Sequence, residues 1–254
     1  MSDPTIETTE QMLGLADPPG ELVVDGSGDM FNRIAKNYDR LNRIISMGFD
    51  QGWRRKLVAA ATATDGALFL DLATGTADVA LALAKKQPEA RVVGLDPSFG
   101  MLDVGRDKVG LRGLSERVSL IEGDAQALPF EDSAFDAITM SFGIRNVPDR
   151  DSALREMCRV LKPGGIVAIL ELGEPRKGLL APLARWHVHH VVPWLGAWLS
   201  GEAEYRYLHE SIAAFPTPDA FLKRIEAAGF ESACFQAMML DVAHLYVGRV
   251  PLDA

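Results

Sequence analysis

The sequence predicts an α/β protein: a doubly wound, mostly parallel sheet with N-terminal helices and a helical insert after the fifth strand. Three observations carry this. Short apolar runs alternate with segments of helical spacing, the pattern of βαβ units whose sheet is covered on both faces. Acids close three successive apolar runs, at the strand ends where ligands of open α/β sheets gather. The composition is that of a globular protein of 254 residues, 48% hydrophobic, 24% charged and 7% aromatic, which excludes general disorder, collagen and coiled coil.

Met30–Ala63 is helical in pattern and comes before any strand. The first strand reads from Ala67 to Ala73, the second from Arg91 to Asp96, the third from Arg117 to Glu122 and the fourth from Phe135 to Ser141. The fifth, Ile166–Glu171, follows a turn at Lys162-Pro163-Gly164-Gly165. Between them Asp78–Lys86, Phe99–Val109 and Ser152–Leu161 have helical spacing. A helix at Pro218–Gly229 is stopped by Gly229, and Phe235–Leu240 and Val242–Val247 read as two closing strands. No repeat or linker divides the chain, so residues 30–250 are expected to form one domain behind an acidic mobile tail, residues 1–29.

Lys and Arg number 26 against 35 Asp and Glu, a net charge of −9, which argues against nucleic acid as a partner. No basic residue precedes Arg33, so secretory and transit peptides are not expected. Cys158 and Cys234 allow at most one disulfide, and a reducing cytoplasm is the default. The most apolar stretch, Leu179–Leu199, is broken by Pro182, Arg185, three histidines and Pro193, so it is not a membrane span. It is either a buried helical insert or a lid whose Trp186, Trp194 and Trp198 face a greasy ligand or the inner membrane surface. His187, His189 and His190 lack the acids or cysteines of a metal site, and no metal is expected.

The cofactor site is read from the strand ends. The first strand runs into Asp71-Leu72-Ala73-Thr74-Gly75-Thr76-Ala77-Asp78, where Gly75 permits a tight turn and close backbone approach. Asp96 ends the second strand, placed to accept bonds from ribose hydroxyls. Ala77 and Ala80 stand where a dinucleotide fingerprint has its second and third glycines, which disfavours a pyrophosphate. A ligand with a ribose and no phosphate fits better, and S-adenosylmethionine is one. Asp71 can help hold its ammonium group, Asp124 the adenine amino group and the Ala125 amide a ring nitrogen, while Ser141 lies beneath the reacting centre.

With these motifs, Gly123–Phe130 and Leu161–Gly165 resemble the class I S-adenosylmethionine-dependent methyltransferases. More specific segments are Phe31–Asn42 with Ser46-Met47-Gly48 and Trp53-Arg54-Arg55, then Ser141–Val147 (SFGIRNV), then Tyr205–Ile212 (YRYLHESI). Together they resemble the ubiquinone/menaquinone biosynthesis C-methyltransferase family across about Met30 to Gly248. The resemblance implies cofactor contacts at Thr76, Asp96, Asp124, Ala125 and Ser141, and methylation of a ring carbon of a polyprenylated benzoquinol or naphthoquinol. Two departures stand out: Gly75-Thr76-Ala77 where the family usually has Gly-Thr-Gly, and a C-terminal strand reading Val242-Ala243-His244-Leu245-Tyr246-Val247-Gly248.

A quinol ring carbon is a weak nucleophile until a neighbouring hydroxyl ionises. At a phenol pKa of about 10 this costs about 4 kcal/mol near pH 7. A charge-assisted hydrogen bond returns about 1.5–3 kcal/mol. Arg145 is the candidate donor, with Asn146 and Tyr38 orienting the acceptor. The resemblance implies an arginine acting as base with a water; stabilisation of the quinolate by a charged guanidinium is physically easier. The proton leaves through water, His190, His209 or His244. Another aromatic or lipid-like acceptor, and a non-catalytic cofactor-binding subunit, remain as alternatives. Oligomeric state is left open, a homodimer being one option.

Overall fold

The computed structural model describes residues 27–35, 38–46, 48–63, 66–173, 210–239 and 241–253. The Leu179–Leu199 segment, the tail up to residue 26 and Tyr205–His209 lie outside the described residues. Three helices open the described residues, α1 (Ser27–Ile34), α2 (Tyr38–Ile45) and α3 (Phe49–Ala61). The first begins three residues ahead of the boundary expected at Met30. There follow β1 (Leu68–Leu72), α4 (Asp78–Lys86), β2 (Arg91–Asp96), α5 (Phe99–Leu111), β3 (Val118–Glu122) and β4 (Phe135–Ser141). Then come α6 (Arg150–Val160), β5 (Leu161–Leu172), α7 (Pro218–Ala227), β6 (Glu231–Met238) and β7 (Ala243–Arg249).

The strands form one seven-stranded sheet in the order β3-β2-β1-β4-β5-β7-β6. β1 to β5 pair in parallel, and β7 pairs antiparallel with both β5 and β6. Strand order reverses between β1 and β4, so the crevice for a ligand opens beyond their carboxyl ends. This is the doubly wound sandwich expected from the sequence. Its central strands are buried on both faces: Phe69, Leu70 and Leu72 of β1 and Ala137 to Met140 of β4 are all at most 1% exposed. Fully burying one such Leu or Ile side chain contributes about 1.5–3 kcal/mol. One face packs α3 and α4 through Leu57, Val79 and Leu83, and the other packs α6 and α7 through Leu154, Met157, Phe221 and Ile225.

Local chemistry sets the element ends. Ser98 caps α5 by accepting from the Met101 N–H at 3.3 Å, and Asp149 caps α6 by accepting from Ser152 at 3.0 Å. Thr217 caps α7 with Pro218 in its first turn. The carbonyls at the end of α4 are met by Arg117, whose Nη1 donates to Ala84, Gln87 and Ala90. One expectation is corrected. Lys162–Gly165 is not a turn ahead of the fifth strand but a bulge inside it: Phe135 faces Leu161, and the next pair is Ala137 with Ile166. Gly164 adopts φ +76°, and Asp136 fastens the kink by accepting from Lys162 Nζ at 2.7 Å and from the Ala67 and Leu68 amides. Cys158 and Cys234 are both free thiols, so the disulfide that the sequence allowed is not formed.

Candidate functional site

The end of β1 is built around a buried carboxyl. Asp71 accepts from Thr74 Oγ1 at 2.6 Å and from Thr139 Oγ1, on the facing strand β4, at 2.7 Å. Burial lifts its pKa to about 6 against these bonds. Through these two bonds Asp71 braces the loop against β4. Gly94 in β2 leaves the room that Thr74 fills, since a Cβ there would come within 2.9 Å of its side chain.

Asp96 faces the same loop from β2. Its oxygens accept from the Gly75 N–H at 2.8 Å and the Ser98 N–H at 2.9 Å. Burial raises its pKa to about 6 as well, with the two amides pulling it back. Gly75 has φ +55°, and a Cβ on it would meet only the Tyr38 ring at 3.9 Å, which puts Tyr38 over the open side of the turn. Tyr38 is steadied by an edge contact with Phe31.

Asp124 begins the loop after β3 and accepts from the Gln126 amide at 2.9 Å and from its side chain. Ala125 beside it is buried. Glu156 of α6 pins this loop by accepting from Leu128 N–H at 2.8 Å. The Thr76 hydroxyl donates to Asp39 at 2.6 Å and accepts from Lys108 Nζ at 3.0 Å, which ties the glycine turn to a polar network. Lys108 also pairs with Asp39 at 2.9 Å and with Asp78, which Arg54 bonds at 2.8 Å.

At the end of β4 the Ser141 hydroxyl is buried with no partner. Phe142 follows with φ +59°, and Gly143 packs so tightly on Ala73 that a Cβ would stand 2.4 Å from the alanine methyl. That contact joins the β1 loop to the turn Ile144–Asn146, which carries Arg145 and Asn146. The Trp53 ring of α3 meets Phe142 edge-on at 6.3 Å. Arg145 is held by Glu171 at the end of β5: Nη1 donates to Oε1 at 2.5 Å and the backbone N–H to Oε2 at 3.1 Å. Its Nε is buried and unpartnered.

His244 is buried on β7, and burial holds its pKa below the ordinary imidazole value against the pull of Asp241. His187, His189, His190 and His209 lie outside the described residues. Sequence reasoning missed Glu171, Thr139 and the network of Asp39, Asp78 and Lys108. Glu171 was readable by the rule that found the other acids, because it too closes an apolar strand.

Known proteins resemble this chain over most of its length. The sequence model described as the ubiE/COQ5 methyltransferase family matches residues 23–249. A demethylmenaquinone methyltransferase of Thermus thermophilus is 46% identical over 223 residues, which is 87% of this chain and 100% of that protein. A ubiquinone/menaquinone biosynthesis C-methyltransferase UbiE of Geobacter sulfurreducens is 40% identical over 222 residues, 87% of each chain. Among solved structures, a SAM dependent methyltransferase from Aquifex aeolicus superposes with a TM-score of 0.62 over 86% of this chain and 98% of the other. At 18% identity that likeness speaks for the fold.

Proposed function

Because the chain belongs to the ubiE/COQ5 methyltransferase family, we propose that it methylates a ring carbon of a polyprenylated quinol in menaquinone or ubiquinone biosynthesis. The enzyme is an S-adenosylmethionine-dependent methyltransferase. The residues fit that donor: Asp96 and Asp124 close adjacent parallel strands or their loops, the Gly75 turn is open on its outer side, and Ser141 Oγ is a buried hydroxyl without a partner. When bound, S-adenosylmethionine supplies a methyl group on a sulfonium to a ring carbon that gives up one proton, leaving S-adenosylhomocysteine.

The chain's own part is to bind and orient. Asp96 is placed for two ribose hydroxyls, Asp124 and the Ala125 amide for the adenine edge, and Tyr38 covers the loop. Asp71 keeps the β1 end in shape through Thr74 and Thr139. The observation that carries the acceptor half is the orphaned donor Arg145 Nε, buried in the turn that follows β4. An N–H there meets charge as it develops on the acceptor's oxygen, and Asn146 stands next to it for orientation. A polyprenyl tail lives in the bilayer, so the enzyme takes its acceptor at the cytoplasmic membrane surface. Among the described residues no helix is long and apolar enough to cross a membrane.

The test is transfer of labelled methyl to a panel of prenylated quinols. Incorporation into demethylmenaquinol or its benzoquinol counterpart is expected, and incorporation into neither would overturn the assignment. Arg145→Lys is the cleaner variant, since it keeps a cation for Glu171 and loses Nε. Turnover should fall on the order of 10², the scale of one lost oxyanion donor, with cofactor affinity unchanged.

A further inference from the structure

Glu171 is fully buried, and the function as stated gives it no task. Its carboxylate gathers three donors: Arg145 Nη1 at 2.5 Å and Leu172 N–H at 2.8 Å on Oε1, and Arg145 N–H at 3.1 Å on Oε2. It thus grips one arginine at both its backbone and its tip. Phe142 O takes a second bond from Nη1 at 2.8 Å. Arg150 of α6 clamps the same turn by donating to the carbonyls of Arg145 at 2.8 Å and Ile144 at 3.2 Å. The Arg145 side chain is 8% exposed, and within it Nε is the buried donor left without a partner. Buried donors are rarely left so, and this one sits in the turn beyond the carboxyl end of β4, where ligands of such sheets bind.

We propose that Glu171 is the positioning residue of methyl transfer: it fixes Arg145 by Nη1 and the main chain, so that Nε is the edge turned to the acceptor's oxygen. This rests on the quinol reading above. Glu171 also neutralises the guanidinium. The pair therefore offers the acceptor a directed N–H rather than a free positive charge, and a neutral quinol can enter before charge develops on it. The other titratable groups nearest the pair are Arg150 on α6 and, on β7, His244, which faces Glu171 in the ladder, and Tyr246, whose phenol feels the Glu171 charge.

Two substitutions separate charge from position. Glu171→Gln leaves Arg145 without its counterion, so the site favours the ionised acceptor. The acidic limb of kcat/KM should move down by about one pH unit, and kcat at pH 8 should drop at least tenfold as the guanidinium loses its anchor. Glu171→Asp keeps the charge and withdraws it by about 1.5 Å, one bond length along the side chain. Its kcat should also fall at least tenfold, with the acidic limb in place and the cofactor Kd within twofold of wild type. If Glu171→Gln does not fold, Glu171→Asp decides through its split between kcat and cofactor Kd. Wild-type kcat in the aspartate variant, or an unmoved limb in a folded glutamine variant, overturns the inference. Arg145→Lys, assayed alongside, isolates the parent reading. If it keeps full turnover, Arg145 Nε has no part in the chemistry, and the roles of Arg145 and Glu171 both fall while the quinol assignment stands on its own panel. If it is impaired while the Glu171 variants are not, the positioning role alone falls.

Discussion

Asp96 accepts two backbone N–H groups and yet titrates near 6, because burial outweighs them. In the proposed ribose site its ionised form would accept charge-assisted bonds that the neutral acid makes more weakly. Cofactor affinity should therefore hold above pH 7 and weaken below about 6, approaching tenfold per pH unit. Calorimetry from pH 8 to 5 measures this. Asp96→Asn should lose about 2 kcal/mol at pH 8 and flatten the curve. A flat wild-type curve would take Asp96 out of the ribose site. Behind it, Thr139→Val removes one of the two hydroxyls on Asp71 and should cost about 1–3 kcal/mol in denaturant unfolding. The strand-end acids were legible because a charge closing an apolar run stands out in the sequence. The bond between Arg145 and Glu171 spans 26 positions and left no local trace. Ala77 shows a subtler gap. The sequence marks it as a missing glycine of a pyrophosphate loop, whereas in the fold it holds φ +65°, a left-handed conformation costing about 1–2 kcal/mol for a residue with a Cβ. Its methyl fits because residue 105 is glycine: a Cβ there would come within 3.3 Å of it.

Elements were legible in the order of their periodicity. α4, β2 and β4 have the bounds their patterns suggest, since continuous burial or a clean helical face leaves little choice. The N-terminal region was read as one helical stretch, and the structure divides it into α1, α2 and α3. What ties the first two to the sheet is polar and distant in sequence. Asn32 of α1 accepts from Ser98 Oγ and Gly100 N–H, each at 2.8 Å, where α5 begins. Asp39 of α2 joins Lys108 of α5 and Thr76 of the glycine turn. α1 is thus tied to the start of α5 and α2 to the glycine turn, with Lys108 between Asp39 and Asp78. Lys108→Met would leave Asp39 and Asp78 near each other without their shared cation. Amide exchange across residues 27–45 should quicken, and the cofactor should dissociate about tenfold faster, the scale of one lost charged hydrogen bond. Unchanged exchange there would show that Lys108 is not what holds these helices.

For the molecule as a whole, the titration of its carboxyls sets opposing slopes. Asp71 and Asp96 are raised to about 6, so between pH 4 and 6 the folded state binds more protons than the unfolded one. Stability from these groups rises as pH falls through 6. Asp78, where Lys108 and Arg54 outweigh burial, and Asp136, held by Lys162 and two amides, lie below their ordinary values. Their contribution persists until pH falls below 4. The net charge of −9 also shrinks over the upper range, which eases self-repulsion. His244, held below its ordinary value by burial, runs the other way as pH falls below 6.5, so in a His244→Gln background the ligand-free protein should melt higher at pH 5.5 than at 7.5, and it should collapse below 4. Scanning calorimetry showing a steady fall from 7.5 to 5.5 would contradict this. The sheet order carries one more consequence, for synthesis. β7 is the last strand in chain order, yet it lies between β5 and β6. β1 to β4, with the loops proposed to hold the cofactor, are complete once Ser141 has left the ribosome. β5 then waits with a bare edge while Gly173 to Val242 are made, roughly 4–14 s at 5–20 residues per second. An unpaired edge of that kind invites wrong partners. A nascent chain halted before Ala243 can therefore carry β1 to β4 complete and still offer the β5 edge to other chains.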